Sequence, residues 1–155
     1  MKIAIGSDHA GYAAKEHLKL WLAEHGHEAV DLGTHGSASV DYPDFAGRVG
    51  RAVLAGDAPL GLLLCGSGIG MSIAANKIGG IRAAHCTDGY QARVARQHND
   101  ANVLCLGARV SGLGVMEDTL QAFLHHGFEG GRHAARVEKI QRLESTDTTT
   151  GRSGC

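Results

Sequence analysis

The stretch from Leu60 to Lys77 constrains the fold more than any other part of the sequence. Its first residues, Leu60 to Leu64, form a short apolar run bounded by proline and glycine, which predicts a strand buried on both faces. Glycines follow at positions 66, 68 and 70, and a helix-compatible run begins at Met71. Such a turn presents free backbone N–H groups, which suit an anion or a developing oxyanion. The stretch therefore predicts a parallel sheet with an anion-binding turn at its edge.

Strand-like and helix-like segments alternate along the rest of the chain. The predicted strands are residues 2–6, 28–32, 60–64, 81–86 and 103–106. The predicted helices are residues 12–25, 41–55, 71–80, 88–98, 113–125 and 132–143; Leu18, Trp21 and Leu22 of the first and Val137 and Ile140 of the last are expected to point inward. This alternation predicts a doubly wound, five-stranded, mostly parallel α/β sheet with helices on both faces, Rossmann-like or flavodoxin-like. In the flavodoxin-like order strands one and three are neighbours, so the turns that follow them should meet.

Composition favours one α/β domain over residues 1–144, followed by a flexible tail of serine, threonine and glycine over 145–155. The net charge is -1 and aromatic residues make up 5%, so nucleic acid is not an expected partner. No apolar run is long enough to span a membrane. The four cysteines lack metal-binding or disulfide spacing, which favours a reducing cytoplasm.

Cys65 is the first candidate for chemistry, because it lies where the buried strand enters the glycine turn. A cysteine at the end of a buried strand is commonly a small apolar filler. At this turn, however, backbone N–H groups and a helix N-terminus favour the thiolate. The thiolate could act as a nucleophile or as a general base, and the spacing leaves both roles open.

Asp8 and His9 follow the first strand and would face the glycine turn. One interpretation is turn formation and helix capping. The other is that His9 donates to a phosphate while Asp8 accepts from substrate hydroxyls.

Arg132 and Arg136 are four residues apart on the last predicted helix, so they share a face and can converge on one dianion. A solvated basic face is the alternative. Arg132 opens its helix, where the macrodipole disfavours a cation, and this favours a bound anion.

His98 and Asn99 end the helix that precedes the fifth strand. They are either a C-terminal capping cluster or part of the site, where His98 would donate a proton because a helix C-terminus favours protonated histidine. That helix end should lie at the sheet edge opposite Cys65. If both side chains act on one substrate, His98 comes from a second subunit, which predicts an obligate oligomer with shared sites.

The glycine turn also has a nucleotide-binding interpretation. The spacing Gly66, Gly68, Gly70 brings the third glycine one residue too early for a dinucleotide fingerprint, and the loop follows the third strand rather than the first. No Gly-Lys-Ser/Thr follows, so it is not a phosphate-binding P-loop. Nucleotide binding is therefore not expected.

Five segments of the chain resemble the type B ribose-5-phosphate isomerases, a family that also includes the subunits of galactose-6-phosphate isomerase. The likeness covers residues 1 to about 144 in order. The segments are Gly-Ser-Asp-His-Ala-Gly (6–11), Asp-Tyr-Pro (41–43), Cys-Gly-Ser-Gly-Ile-Gly-Met-Ser-Ile-Ala-Ala-Asn-Lys (65–77), Arg-Gln-His-Asn-Asp-Ala-Asn-Val-Leu (96–104) and Glu-Gly-Gly-Arg-His-x-x-Arg-Val (129–137).

The resemblance implies an aldose–ketose isomerase that interconverts ribose 5-phosphate and ribulose 5-phosphate without a cofactor or metal. It implies that Cys65 is the general base, that His98 assists ring opening, and that the loop N–H groups stabilise an enediolate. The substrate-binding positions that it implies are Asp8, His9, Gly66, Ser67, Gly68, Ile69, Gly70, Asn99, Arg109, Arg132 and Arg136. The expected partners are a small sugar phosphate and other copies of the chain, in a dimer or tetramer.

One branch of the family uses a glutamate just after the glycine loop in place of the cysteine. This sequence has Cys65 and, at the glutamate position, Met71, so it resembles the cysteine branch. Ser67 stands where other members often carry threonine. Two alternatives remain open: an isomerase of a six-carbon sugar phosphate such as allose or galactose 6-phosphate, and a sugar-phosphate binding module without chemistry.

Overall fold

Five parallel strands form one sheet in the order β2-β1-β3-β5-β4. The computed structural model describes residues 1–146. The strands are β1 (Lys2–Ser7), β2 (Glu28–Asp31), β3 (Leu60–Cys65), β4 (Ala83–His85) and β5 (Val103–Gly107). Strands β1 and β3 are neighbours, as expected, and every pairing is parallel. At the other end β5 rather than β4 lies next to β3, which departs from the strand order of flavodoxin.

Helices connect the strands and cover both faces of the sheet, so the doubly wound fold is confirmed. They are α1 (Tyr12–Glu24), α2 (Tyr42–Ala55), α3 (Ile69–Ala75), α4 (Gly89–Asn99), α5 (Leu113–His125) and α6 (Arg132–Thr146). One apolar core lies between the sheet and α1, α4 and α5; the other lies between the sheet and α2 and α3. The predicted inward residues of α1, Leu18, Trp21 and Leu22, are all buried.

Two sequence predictions differ from the structure at the β4 edge. Strand β4 is shorter than the predicted 81–86, because the Arg82 N–H donates to the side chain of Asn102 at 2.8 Å rather than to a strand. Val137 of α6 is buried as expected, but the prediction for Ile140 was wrong: this residue is 42% exposed. Helix α6 packs on α4. Near the end of α6, the Glu144 carboxylate accepts from the Gly80 N–H at 3.0 Å, so the later turns of α6 lie on the protein surface rather than against the core.

Residues 145 and 146, which the sequence assigned to the tail, continue α6, whereas 147–155 lie outside the described residues. Within residues 1–146, no helix has both the length and the apolar character that crossing a bilayer requires.

A buried ion pair connects α1 to the end of β2. Lys15 is fully buried, and its Nζ donates to Asp31 at 2.6 Å and to Glu16 at 2.8 Å. The Asp31 carboxylate also accepts from the Gly33 N–H at 3.0 Å, and the Gly33 carbonyl accepts from the Ser7 N–H at 2.7 Å. Charge on α1 thereby fixes the loop that borders the turn after β1.

Candidate active site

A cavity of about 450 Å³ opens where β1 and β3 end. The register pairs Ser7 with Leu64 and Cys65 with Gly107, so the turns after β1, β3 and β5 meet at one edge of the sheet. The cavity is lined by Asp8, His9, Ala10, Tyr42, Cys65, Gly66, Ser67, Gly70, Arg109 and Val110. The turn after the first strand and the glycine loop are therefore brought together.

Cys65 lies at the floor of this cavity, 5% exposed, with its sulfur facing the glycine loop. The Gly68 N–H donates to Sγ over 3.1 Å, and an N–H donor stabilises a thiolate more than a thiol. The other described cysteines differ: burial and the Asp88 charge raise the pKa of Cys86 to about 12, and burial raises that of Cys105. Cys65 thus combines access to the cavity with a donor aimed at its sulfur.

The loop between β3 and α3 adopts a shape that side chains would prevent. Gly68 has φ +79°, and a Cβ there would lie 2.5 Å from the His85 ring. A Cβ on Gly70 would lie 2.8 Å from the ring of Tyr42. Ile69, the first residue of α3, is exposed, and its N–H donates to the Ser67 Oγ at 3.3 Å. Glycine at 68 is therefore required for the loop to face Cys65, whereas Gly70, in the first turn of α3, leaves room for the Tyr42 ring.

Arg109 places a positive charge against the same loop. Its N–H donates to the Gly66 carbonyl at 2.9 Å, and its guanidinium would be 3.4 Å from a Cβ on Gly66. Because β5 neighbours β3, the turn that carries Arg109 lies beside the glycine loop. The cavity is therefore suited to an anionic ligand.

Asp8 and His9 approach the cavity from the end of β1. The Asp8 carboxylate accepts from the Gly11 N–H at 3.0 Å, so this buried side chain shapes the turn before α1 while lining the cavity. The His9 Nδ1 accepts from the Val40 N–H at 3.3 Å. This contact assigns the ring proton to Nε2, which is left to donate to a ligand.

Gly68 and Ile69 belong to the glycine loop and the start of α3 without lining the cavity, and four other predicted residues lie apart from it on α4 and α6: His98, Asn99, Arg132 and Arg136. His98 is in the last turn of α4, and its ring stacks on that of His133, with centroids 4.2 Å apart and planes 5° apart. Asn99 lines a different cavity of about 670 Å³, between α6 and the β4 edge. Arg132 and Arg136 are exposed on the first two turns of α6.

Within residues 1–146, His98, Glu129 and His133 form a group whose potential ligand atoms lie within 4.8 Å of one another. The ring nitrogens of two parallel imidazoles direct their lone pairs along separate planes. A metal ion requires those lone pairs to converge, so the stacked arrangement does not suit one.

Tyr42 and Val110 also line the Cys65 cavity but are absent from the residues predicted from sequence. Tyr42 belongs to the Asp-Tyr-Pro segment at the start of α2, which was the available signal. His133 follows Arg132 in the Glu-Gly-Gly-Arg-His segment, but only the packing of α6 on α4 shows its contact with His98.

Comparison with known proteins supports one family. A family described as ribose/galactose isomerase matches residues 3–140. The chain is 48% identical to ribose-5-phosphate isomerase B of Escherichia coli, over 92% of this chain and 96% of that protein. It is 43% identical to D-erythrulose-4-phosphate isomerase of Pectobacterium atrosepticum, over 93% and 95% of the two chains.

Solved structures agree with this assignment. The ribose-5-phosphate isomerase B of Clostridium thermocellum superposes with a TM-score of 0.94 at 52% identity, covering 96% of this chain and all of that one. The type B ribose 5-phosphate isomerase of Trypanosoma brucei gives a TM-score of 0.89 at 51% identity, over 92% and 98%. With the whole described fold and most of its length matched, this chain belongs to the ribose/galactose isomerase family.

Proposed function

We propose that this enzyme interconverts D-ribose 5-phosphate and D-ribulose 5-phosphate through an enediolate, with Cys65 as the base. The observation that carries the proposal is the Gly68 N–H at 3.1 Å from the Cys65 sulfur, in a cavity that also presents Arg109 and His9. Relatives named as ribose-5-phosphate isomerases, at 48% to 52% identity over nearly the full chain, support the substrate.

The reaction moves one proton between two carbons and a second between their oxygens, which shifts the carbonyl by one carbon. The Cys65 thiolate takes the proton from C2 of the open-chain aldose, and negative charge develops on the C1 oxygen. The hydroxyl proton moves from the C2 oxygen to the C1 oxygen, and the Cys65 thiol returns its proton to C1 to give the ketose. As the thiolate becomes a thiol, its sulfur accepts hydrogen bonds more weakly, so the Gly68 N–H can follow the charge to the enediolate oxygen. Backbone donors that meet charge as it develops are the basis of oxyanion holes.

The phosphate requires cations and N–H donors, and the chain offers them in two places. His9 and Arg109 lie in the Cys65 cavity, whereas Arg132 and Arg136 begin α6. We propose that a second copy supplies the latter pair, together with His98 and Asn99, so that a homodimer or larger assembly completes each site. Asp8 and Asn99 then contact the sugar oxygens.

The shared site predicts complementation between two inactive variants. Cys65→Ala and His98→Ala proteins, mixed so that subunits exchange, should recover about a quarter of wild-type activity in a dimer, since one of two sites in each hybrid keeps both side chains. Turnover is measured from ribose 5-phosphate, the direction that requires ring opening, after exchange, and hybrid formation is followed by native mass spectrometry. Each variant alone is the control. Hybrids that form but remain inactive would contradict the shared site.

Substrate length is tested by comparing turnover on sugar phosphates of four, five and six carbons. The four-carbon substrate is included because the Pectobacterium relative is named for D-erythrulose 4-phosphate. The six-carbon test substrates are allose 6-phosphate and galactose 6-phosphate. We expect the highest kcat/KM for ribose 5-phosphate. A preference for the four- or six-carbon substrate would replace the ribose assignment within the same chemistry, and no turnover of any would leave a binding module.

We also propose a cytoplasmic location. It is supported by Cys65, Cys86 and Cys105, which are free thiols in the described part of the chain and fit a reducing compartment.

A further inference from the structure

We propose that His133 is a positioning residue that holds the His98 imidazole flat against its own ring and leaves the proton of the pair on His98. The inference rests on the proposed function and takes His98 as the acid that protonates the furanose ring oxygen, the role in ring opening that the family resemblance implies. Its basis is the contact itself: the two rings stack with centroids 4.2 Å apart and planes only 5° apart.

The stack joins two helices at ends of opposite polarity. His98 is in the last turn of α4, where the macrodipole favours a positive charge, and His133 is in the first turn of α6, where it opposes one. His133 is 8% exposed, so its protonated ring would lack most of its hydration, and burial disfavours that charge. Of the two rings, His133 is therefore the less favourable place for a positive charge.

The charged neighbours support the same assignment. Burial lowers the pKa of His133, as do the positive charges of His98, Arg132 and Arg136, whereas Glu129 opposes this change. The Glu129 carboxylate lies near both rings, and one carboxylate balances one imidazolium. The backbone N–H of Glu129 donates to the Gln97 carbonyl at 3.0 Å, which attaches the loop between α5 and α6 to the end of α4.

An oriented proton donor matters in only one direction of the reaction. Ribose 5-phosphate closes a ring through its C4 oxygen, and that ring must be opened before a base can act. Ribulose 5-phosphate cannot form a furanose, because the oxygen it would need is esterified by the phosphate. Loss of ring-opening assistance therefore slows the aldose-to-ketose direction and spares the initial rate from the ketose.

The activity test uses His133→Ala, which removes the stacked ring, and His133→Phe, which keeps a flat ring without nitrogen. We expect His133→Ala to lower kcat from ribose 5-phosphate at least about tenfold while kcat from ribulose 5-phosphate falls much less. His133→Phe should retain most of both rates. His25→Ala is the matched control. The His25 ring also stacks on an aromatic ring, that of Trp21, with centroids 3.8 Å apart, but this pair lies away from the site.

Equal loss in both directions in His133→Ala, or no loss, would overturn the proposal, since a merely structural role reduces active enzyme alike in both assays. An equal loss in His133→Phe would overturn it as well, because the ring stack would not be the positioning contact.

A titration that needs no turnover completes the test. The His133 ring is followed by NMR in the wild type and in His98→Asn, and its midpoint should rise in the variant because a positive neighbour has been removed. An unchanged midpoint would overturn the sharing of one proton. This measurement decides the coupling whether or not Cys65 proves to be the base, and it does not depend on any His133 variant folding.

Discussion

Replacing Cys65 with alanine is expected to lower kcat for isomerisation of ribose 5-phosphate by about 10³-fold, within the range that general base catalysis contributes. The sulfur is the acceptor of the Gly68 N–H, and alanine provides no group at this point that can take the C2 proton. KM should change little, because the cations assigned to the phosphate are untouched. Steady-state kinetics and exchange of the C2 hydrogen with solvent deuterium measure the effect.

Cys86→Ala is the matched control for this substitution. It removes the same atoms from the apolar core on the other face of the sheet. Burial holds the pKa of Cys86 at about 12, so that thiol stays protonated. We expect its kcat to match the wild type. Turnover and deuterium exchange in Cys65→Ala that stay within a few fold of the wild type would exclude Cys65 as the base.

Asp31→Asn is expected to lower the free energy of unfolding by about 3 kcal/mol, because it leaves a fully buried ammonium without its closest partner. The Lys15 Nζ retains only the exposed Glu16 carboxylate, which is 41% accessible. Asparagine keeps an oxygen that can accept from the Gly33 N–H, so the loss reports the missing negative charge. Urea unfolding at pH 7 measures the loss. Glu16→Gln, in the same network but exposed, should cost under about 1 kcal/mol.

The same ion pair predicts that the free energy of unfolding depends on pH in the acidic range. Burial alone would raise the pKa of Asp31, but hydrogen bonds from Lys15, Lys19 and the Gly33 N–H outweigh burial and lower it to about 2, from an ordinary value of 3.8. A carboxylate whose pKa is lower in the folded state stabilises the fold above its unfolded pKa. This contribution should be lost as the pH falls from about 4 to about 2. An Asp31→Asn protein with the same acid dependence as the wild type would contradict this assignment.

Local pattern was sufficient for the elements that are amphipathic or fully buried. Helix α5 matches its predicted bounds, Leu113–His125, and Asp88, the first residue of the predicted helix 88–98, caps α4 by accepting from the Gln91 N–H. The pattern was weakest where an element meets few neighbours. Ile140 has helical spacing with Val137, yet the later turns of α6 extend past the core. Periodicity alone cannot show at which residue a helix stops packing against the rest of the protein.

The sequence by itself determined that a strand, a glycine loop and a helix follow one another around Cys65, because an apolar run, closely spaced glycines and the residues after them restrict their own backbone. The predicted bounds of the helix, 71–80, were wrong, since α3 is Ile69–Ala75. It also indicated which polar residues follow each strand. Only the tertiary structure decided that β5 lies beside β3, which brings Arg109 against Gly66, and that α6 stacks His133 on His98. It likewise decided that Lys15 is buried against Asp31. These contacts join residues distant in the chain, and their geometry depends on how whole elements pack.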